Sequence, residues 1–192
     1  MKKVKLLILF GIIVSSVFAQ IPDFDFFDKI AFQEKSNFIK KTAFVESQNY
    51  NLTDFVYQRM EWEIDPDTLF IKGVVTTWFK SKTQNLNEIE FDLSLSLNVD
   101  SVVQNNQKLT FNQSQNKIII TLPERLNEGQ LDSVSIYYQG IPNNSGFDVF
   151  SKTMHNNIPN IWTLSEPYGA MEWWPCKQSL VDKIDSIDII VT

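Results

Sequence analysis

The 192 residues contain one cysteine, Cys176, and one histidine, His155. A single cysteine rules out an internal disulfide, so stability has to come from an apolar core. Only Lys177 beside it offers any activation, and the thiol reads as a small buried hydrophobe rather than a nucleophile. A single histidine removes the helical pair of His four residues apart, and a catalytic zinc generally needs three protein ligands. His155 and Cys176 could supply at most two soft ones, so no zinc is expected in this chain. His155 falls in the loop-like Met154-His155-Asn156-Asn157 and reads as an exposed loop histidine. A hydrolase triad would need that histidine together with a G-x-S-x-G elbow, which is missing. Paired carboxylates for glycoside hydrolysis leave no spacing signature, so that chemistry is unsupported rather than excluded.

Long apolar runs are also scarce. The one candidate is Leu6 to Val14, preceded by Lys2, Lys3 and Lys5 and followed by small residues up to Ala19. It is shorter than the ~20 residues that span a bilayer and has the three-part layout of a secretory signal peptide. Residues 1–19 are therefore expected to be removed, with no membrane anchor and a secreted, periplasmic or cell-surface location. Three of the 17 basic residues lie in that signal, which leaves 14 against 23 acidic residues, a formal charge of −9. So acidic a chain is a poor partner for nucleic acid, whose phosphates call for Lys and Arg.

What is present after residue 19 is enough for one domain. Residues 20–50 form a lead segment rich in Phe and Lys, with Phe24, Phe27, Ile30 and Ala31 at helical spacing after Pro22-Asp23. From residue 51 to 192 the period changes to two, in short β-branched segments between turn residues. Tyr57 to Ile64 and Phe70 to Lys80 flank Asp65-Pro66-Asp67 and predict a hairpin. Val134, Ile136 and Tyr138 alternate with Ser133, Ser135 and Tyr137, and Ile187, Ile189 and Val191 repeat the alternation near the end, predicting one face to solvent and one to the core. Further strands are expected over Glu88 to Leu93, Leu97 to Gln104, Lys117 to Leu122, Phe147 to Thr153 and Ile161 to Leu164. The Asn- and Gln-rich stretch from Gln104 to Asn116 reads as an edge hairpin around Leu109 to Phe111. With no βαβ alternation and no Gly-rich phosphate loop, the expectation is an all-β antiparallel sheet or sandwich behind a short helical lead. The closing strand pattern has no polar tail after it, so the architecture is expected to continue past Thr192.

Three of the five Trp and two Pro fall between Ile161 and Cys176, in Trp162-Thr163-Leu164-Ser165-Glu166-Pro167-Tyr168-Gly169-Ala170-Met171-Glu172-Trp173-Trp174-Pro175-Cys176. Such residues build a rigid irregular surface, suited to a cleft wall or to a packed corner of the core. The segment resembles the end of the N-terminal domain of zinc aminopeptidases of the aminopeptidase N family. There an alanine-arginine pair, an aromatic-Pro-Cys triplet and a short acidic turn lead into a strand running toward the catalytic domain. Trp174-Pro175-Cys176 matches the triplet and Lys183 to Val191 the closing strand. Tyr57 to Asp65, continued by Gly73-Val74-Val75, resembles the family's opening hairpin, so the likeness covers about residues 50–192. Two positions depart from the pattern: Met171 stands where most members have Arg, and Lys177-Gln178-Ser179 replaces the acidic Asp-Glu-Pro. The usual ion-pair roles cannot be carried over to them, and the chain looks like a divergent bacterial secreted branch.

The resemblance implies a non-catalytic domain that lines the cleft of a secreted zinc aminopeptidase. Zinc would be held by a downstream His-Glu-x-x-His helix and a later Glu in a catalytic domain missing from this sequence. In the family a Glu or Gln ten positions before the cysteine reaches the active site and holds the free α-amine of the peptide substrate, and that position is Glu166. A carboxylate facing an ammonium in a partly desolvated cleft makes a charge-assisted hydrogen bond worth roughly 1.5–3 kcal/mol, and it selects a chain terminus. Gly169-Ala170-Met171-Glu172 also spells four letters of the family's G-A-M-E-N motif, but Trp173 replaces the Asn and the place in the chain fits the alanine-arginine site instead. The alternative function is a stand-alone β-sandwich module binding protein or carbohydrate on exposed Trp173 and Trp174.

Overall fold

The computed structural model describes residues 46–143, 149–165 and 168–192, together with Asp28, Ala31, Phe32 and Lys35. The expected signal peptide and most of the lead segment lie outside these residues; Asp28, Ala31, Phe32 and Lys35 are helical, and the lead ends in the 3₁₀ turn that begins at Gln48. No helix among the described residues is long and apolar enough to cross a membrane.

Among the described residues, a 3₁₀ turn over Gln48–Leu52 is followed by eleven strands: β1 (Thr53–Asp65), β2 (Phe70–Ser81), β3 (Leu86–Asp92), β4 (Leu97–Gln104), β5 (Gln107–Leu109), β6 (Phe111–Ser114), β7 (Lys117–Leu126), β8 (Leu131–Gly140), β9 (Phe150–His155), β10 (Ile158–Thr163) and β11 (Ser186–Val191). A six-stranded sheet has the order β11-β1-β2-β8-β4-β5, a three-stranded sheet the order β3-β7-β6, and β9 and β10 form a separate hairpin. All pairs are antiparallel except β1 with β11, which run parallel. The chain is thus an all-β sandwich, as expected.

The β1–β2 hairpin forms where Asp65-Pro66-Asp67 predicts it, with Asp65 opposite Phe70. The Asp65 carboxylate closes the turn by accepting the Asp67 N–H and the Thr68 hydroxyl, both at 2.8 Å. β1 starts earlier than its clean alternation suggests because a bulge between Phe55 and Tyr57 moves the buried row from Thr53 and Phe55 to Gln58, Met60 and Trp62. One extra residue flips every following side chain to the other face, which hides a strand start from a simple period-two reading.

The Asn- and Gln-rich stretch makes two hairpins rather than one. Asn105 and Asn106 turn β4 into β5, and Gln115 and Asn116 turn β6 into β7, all four with positive φ between 47° and 64°. Two consecutive left-handed residues define the mirror-image turn that suits the twist of a tight hairpin, and Asn tolerates that conformation better than most side chains. At Thr110 the chain leaves the six-stranded sheet for the three-stranded one, so β5 and β6 end as short edges of different sheets. Asn156 and Asn157 repeat the same turn between β9 and β10.

The core lies between the two larger sheets. From the six-stranded sheet come Phe55, Met60, Ile71, Val75, Phe79, Val102, Val134, Ile136 and Tyr138, and from the three-stranded sheet Ile89, Phe91, Ile118, Ile120 and Leu122, all buried in one cluster. Phe55 and Phe91 meet across the layers with ring centroids 4.9 Å apart. The alternation in β8 behaves as expected, with Val134, Ile136 and Tyr138 buried. The same alternation in β11 does not: the strand forms, but every residue from Ser186 to Val191 is exposed. In the parallel register Ile187, Ile189 and Val191 stand beside the buried Gln58, Met60 and Trp62, but at an edge that no second layer of the described residues covers.

Candidate functional site

Four aromatic side chains from distant parts of the sequence meet at the end of the sandwich where β1, β9 and the Trp-Trp-Pro-Cys segment converge. Trp173 stands at the centre, with ring centroids 4.8 Å from Trp62, 5.6 Å from Phe150 and 4.3 Å from Trp174 in edge-to-face contact. Off-centred and edge-on arrangements are the favoured ones for aromatic pairs, each adding about 0.5–1.5 kcal/mol beyond area burial. A hydrogen-bonded chain runs through the cluster: the Trp62 indole N–H donates to the Tyr138 hydroxyl at 2.8 Å, which donates to the Trp173 carbonyl at 2.9 Å. Burial raises the Tyr138 pKa well above the usual phenol value, so the hydroxyl stays protonated and able to donate.

Gly73, opposite Trp62 in the hairpin, makes the geometry possible. A methyl group there would come 2.5 Å from Trp62 Cδ1. The indole can therefore pack this closely on Gly73 only because that residue carries no side chain. Both residues fall in the hairpin predicted from sequence, and the turn at Asp65 fixes their register.

Trp173 also holds the segment that leads into the predicted amine anchor. Its indole N–H donates to Ser165 Oγ at 3.0 Å, and Leu164 N–H donates to the Val149 carbonyl at 3.1 Å. On the far side, Gly169 N–H donates to the Ser165 carbonyl at 2.7 Å. Glu166 itself lies outside the described residues. The Ser165 contact was not anticipated from sequence, because nothing local links residues 165 and 173.

A second, polar cluster fastens the Pro-Cys segment to the sandwich. Cys176 and Asp92 exchange backbone hydrogen bonds at 2.7 and 3.0 Å, and the Asp92 carboxylate accepts the Gln178 N–H at 3.0 Å and the Tyr50 hydroxyl. Burial raises the Asp92 pKa, and these two donors offset only part of that effect. Glu90, two residues earlier on the same face of β3, goes the other way. Its burial would raise the pKa, but hydrogen bonds from Lys117, Asn49 and Ser47 together hold it below the usual value. Lys177 turns inward, its side chain 2% exposed, to pair with Asp182, donate to the Thr53 carbonyl at 2.8 Å and lie 5.0 Å over the Phe55 ring. The departure from the family's acidic pattern thus carries an ion pair of its own: the cation sits at residue 177 and the acid five positions later.

Cys176 is buried, and burial pushes its thiol pKa far up, which suits a packed hydrophobe and not a nucleophile. His155 is exposed at the end of β9, beside the Asn156-Asn157 turn. Among the described residues no three His, Cys, Asp or Glu side chains gather as a metal site would require. Glu172 is buried in the 3₁₀ turn Ala170–Glu172. Trp173, expected by the binding-module reading to face a ligand, is instead 8% exposed and packed against Trp62 and Phe150. A cavity of about 430 Å³ opens beside the aromatic corner, lined by Trp62, Ile64, Phe150, Trp162, Trp173 and Val191 among others.

No protein-family profile and no curated protein matches the sequence. Solved structures do. The M1 zinc metallopeptidase of Deinococcus radiodurans matches with a TM-score of 0.60 and 25% identity, over 72% of this chain and 32% of its own. A mutant two-domain M1 zinc metallopeptidase bound to L-arginine gives the same figures. Native yeast LTA4 hydrolase matches at 16% identity over 80% of this chain and 26% of its own, with a TM-score of 0.61, a likeness of fold alone. The chain spans about a third of the length of the metallopeptidases it matches. By fold, and at one identical residue in four over 72% of its length, this chain is similar to a non-catalytic portion of the M1 zinc metallopeptidases.

Proposed function

We propose that this chain is the N-terminal, non-catalytic β-domain of a secreted or periplasmic zinc aminopeptidase, where it lines the substrate cleft and supplies Glu166 to hold the α-amine of a peptide. The observation that carries the proposal is the structural likeness to M1 zinc metallopeptidases at 25% identity over 72% of the chain. A mutant of the Deinococcus enzyme was solved with a Tyr-Ser-Ala substrate, which supports a peptide as the substrate class here.

The local chemistry supports the same reading. Trp173 is held by three aromatic neighbours and by the Tyr138 hydroxyl, and it grips Ser165, the residue before Glu166. A carboxylate that must meet an ammonium at fixed distance needs such a rigid flank, because a misplacement of about 1 Å can cost roughly 100-fold in rate. Among the described residues no group of His, Cys, Asp and Glu fits a zinc site, and the proposal places the metal and the water it activates in the catalytic part of the parent enzyme.

Glu166→Ala in the parent enzyme is the direct test. Removing the anchor should lower kcat/KM for an aminoacyl anilide by about 10- to 100-fold, the equivalent of one charge-assisted hydrogen bond, with little change in melting temperature. An unchanged kcat/KM would remove Glu166 from the role.

A further inference from the structure

β11 has the wrong composition for an edge. Of the three other outer strands of the larger sheets, β5 and β6 follow the usual rule for exposed edges, β5 with three residues, two of them Gln and Lys, and β6 with four, three of them polar, while the longer β3 carries Glu88, Glu90 and Asp92 and is bridged at its end by Cys176. β11 is six residues long and reads Ser-Ile-Asp-Ile-Ile-Val. Ile187, Ile189, Ile190 and Val191 are 49, 54, 38 and 57% exposed. They do not share one face. Ile187, Ile189 and Val191 stand on the side of Gln58, Met60 and Trp62, while Ile190 stands on the side of Glu61. A nearly continuous apolar run in a parallel-paired strand is the signature of a strand covered on both faces and bonded on both edges.

The surroundings of the strand agree. The ladder with β1 continues to the last residue, where Thr192 N–H donates to the Trp62 carbonyl at 2.8 Å and Ile64 N–H to the Thr192 carbonyl at 3.1 Å. The C-terminal end of β11 is flanked on both faces by hollows. One is the 430 Å³ cavity with Trp62, Trp162 and Val191. The other, of about 290 Å³, is lined by Gly73, Val74, Tyr137 and Ile190. Apolar side chains approaching from either side would fill them.

We infer that β11 is an interior strand of a wider sheet, and that the missing neighbour is a strand of the parent polypeptide, carrying branched apolar side chains toward the two hollows. The inference rests on the proposal that this chain is part of a larger peptidase. It adds that the sheet, and not only the enzyme, extends beyond the residues of this chain. The source is assigned to the parent rather than to a second copy because the matched metallopeptidases are about three times as long as the matched region.

The test compares Ile189→Lys, with the milder Ile189→Ala, in two settings: the 192-residue chain and the polypeptide encoded through to the end of the reading frame. In the 192-residue chain both substitutions should shift the melting temperature by less than about 1 °C, since the position is exposed, and Ile189→Lys should suppress concentration-dependent self-association. In the longer polypeptide Ile189→Ala should lower it by at least about 4 °C, and Ile189→Lys by more or to the point of preventing folding. Equal small shifts in both settings would overturn the inference, as would a reading frame that ends at Thr192. A discrete dimer dispersed by Ile189→Lys in both settings would assign the edge to a second copy instead. None of these readouts uses peptidase activity, so they stand or fall separately from the Glu166 assay.

Discussion

Tyr138 joins the two halves of the aromatic corner through one oxygen. It accepts from the Trp62 indole and donates to the Trp173 carbonyl, and all three residues are buried. Tyr138→Phe keeps the ring but leaves an indole N–H and a carbonyl without partners away from water. The expected cost is about 1–3 kcal/mol, read as a lower urea midpoint with an unchanged slope. At this scale the sequence was legible by composition only. A cluster of Trp and Pro announced a rigid corner, while Glu166, named only through the family resemblance, lies outside the described residues. The partners that set the corner, Tyr138, Gly73 and Ser165, carry no local signal of their roles. They are brought together by register and layer packing, over separations as long as the 76 residues between Trp62 and Tyr138.

At the scale of elements, the three hairpins turned by Asn105-Asn106, Gln115-Asn116 and Asn156-Asn157 share one backbone conformation, and Asn157 has φ 63°. The tight two-residue turn favours Asn followed by Gly. Asn157→Gly should therefore leave the β9–β10 pairing in place and stabilise or at worst leave unchanged the hairpin, by up to about 1 kcal/mol, checked by thermal melting of the variant against the parent sequence. Most strands were legible because period-two alternation and turn residues are local properties. Two features were not. The β1 bulge breaks the alternation with a residue that looks like any other, and the switch of sheets at Thr110 depends on which layer each hairpin can reach. β11 shows the converse: its alternation is real, but burial depends on a covering layer that no pattern within the strand reports.

On the scale of the whole molecule, the Asp92 cluster ties together three parts of the chain: Tyr50 at the end of the lead segment, the end of β3, and Cys176 to Gln178 near the C-terminus. Because burial raises the Asp92 pKa, the folded state holds its proton more tightly than the unfolded chain does. The stabilising contribution is present below the unfolded value of 3.8 and is lost as pH rises through the folded value. Glu90, with its pKa lowered, contributes in the opposite sense, its stabilisation present above 4.5 and lost as pH falls through the folded value. Asp92→Asn keeps an acceptor for Tyr50 and Gln178 without the buried charge. Its stability relative to the unsubstituted chain should therefore rise between pH 3.5 and pH 7, measured by urea unfolding at both. A constant difference would mean that Asp92 is not held in its raised state.

By itself the amino-acid order determined the class of the molecule. One cysteine, one histidine, two-residue periodicity and turn chemistry suffice for a disulfide-free all-β sandwich, since each acts over a few neighbouring residues. Only the tertiary structure decided that Trp173 faces inward rather than toward a ligand, that Lys177 pairs with Asp182, and that the apolar β11 stands uncovered. Those outcomes depend on which faces meet across two layers, and facing is a property of packed sheets in space, set by hydrogen-bond register and the volume left between side chains.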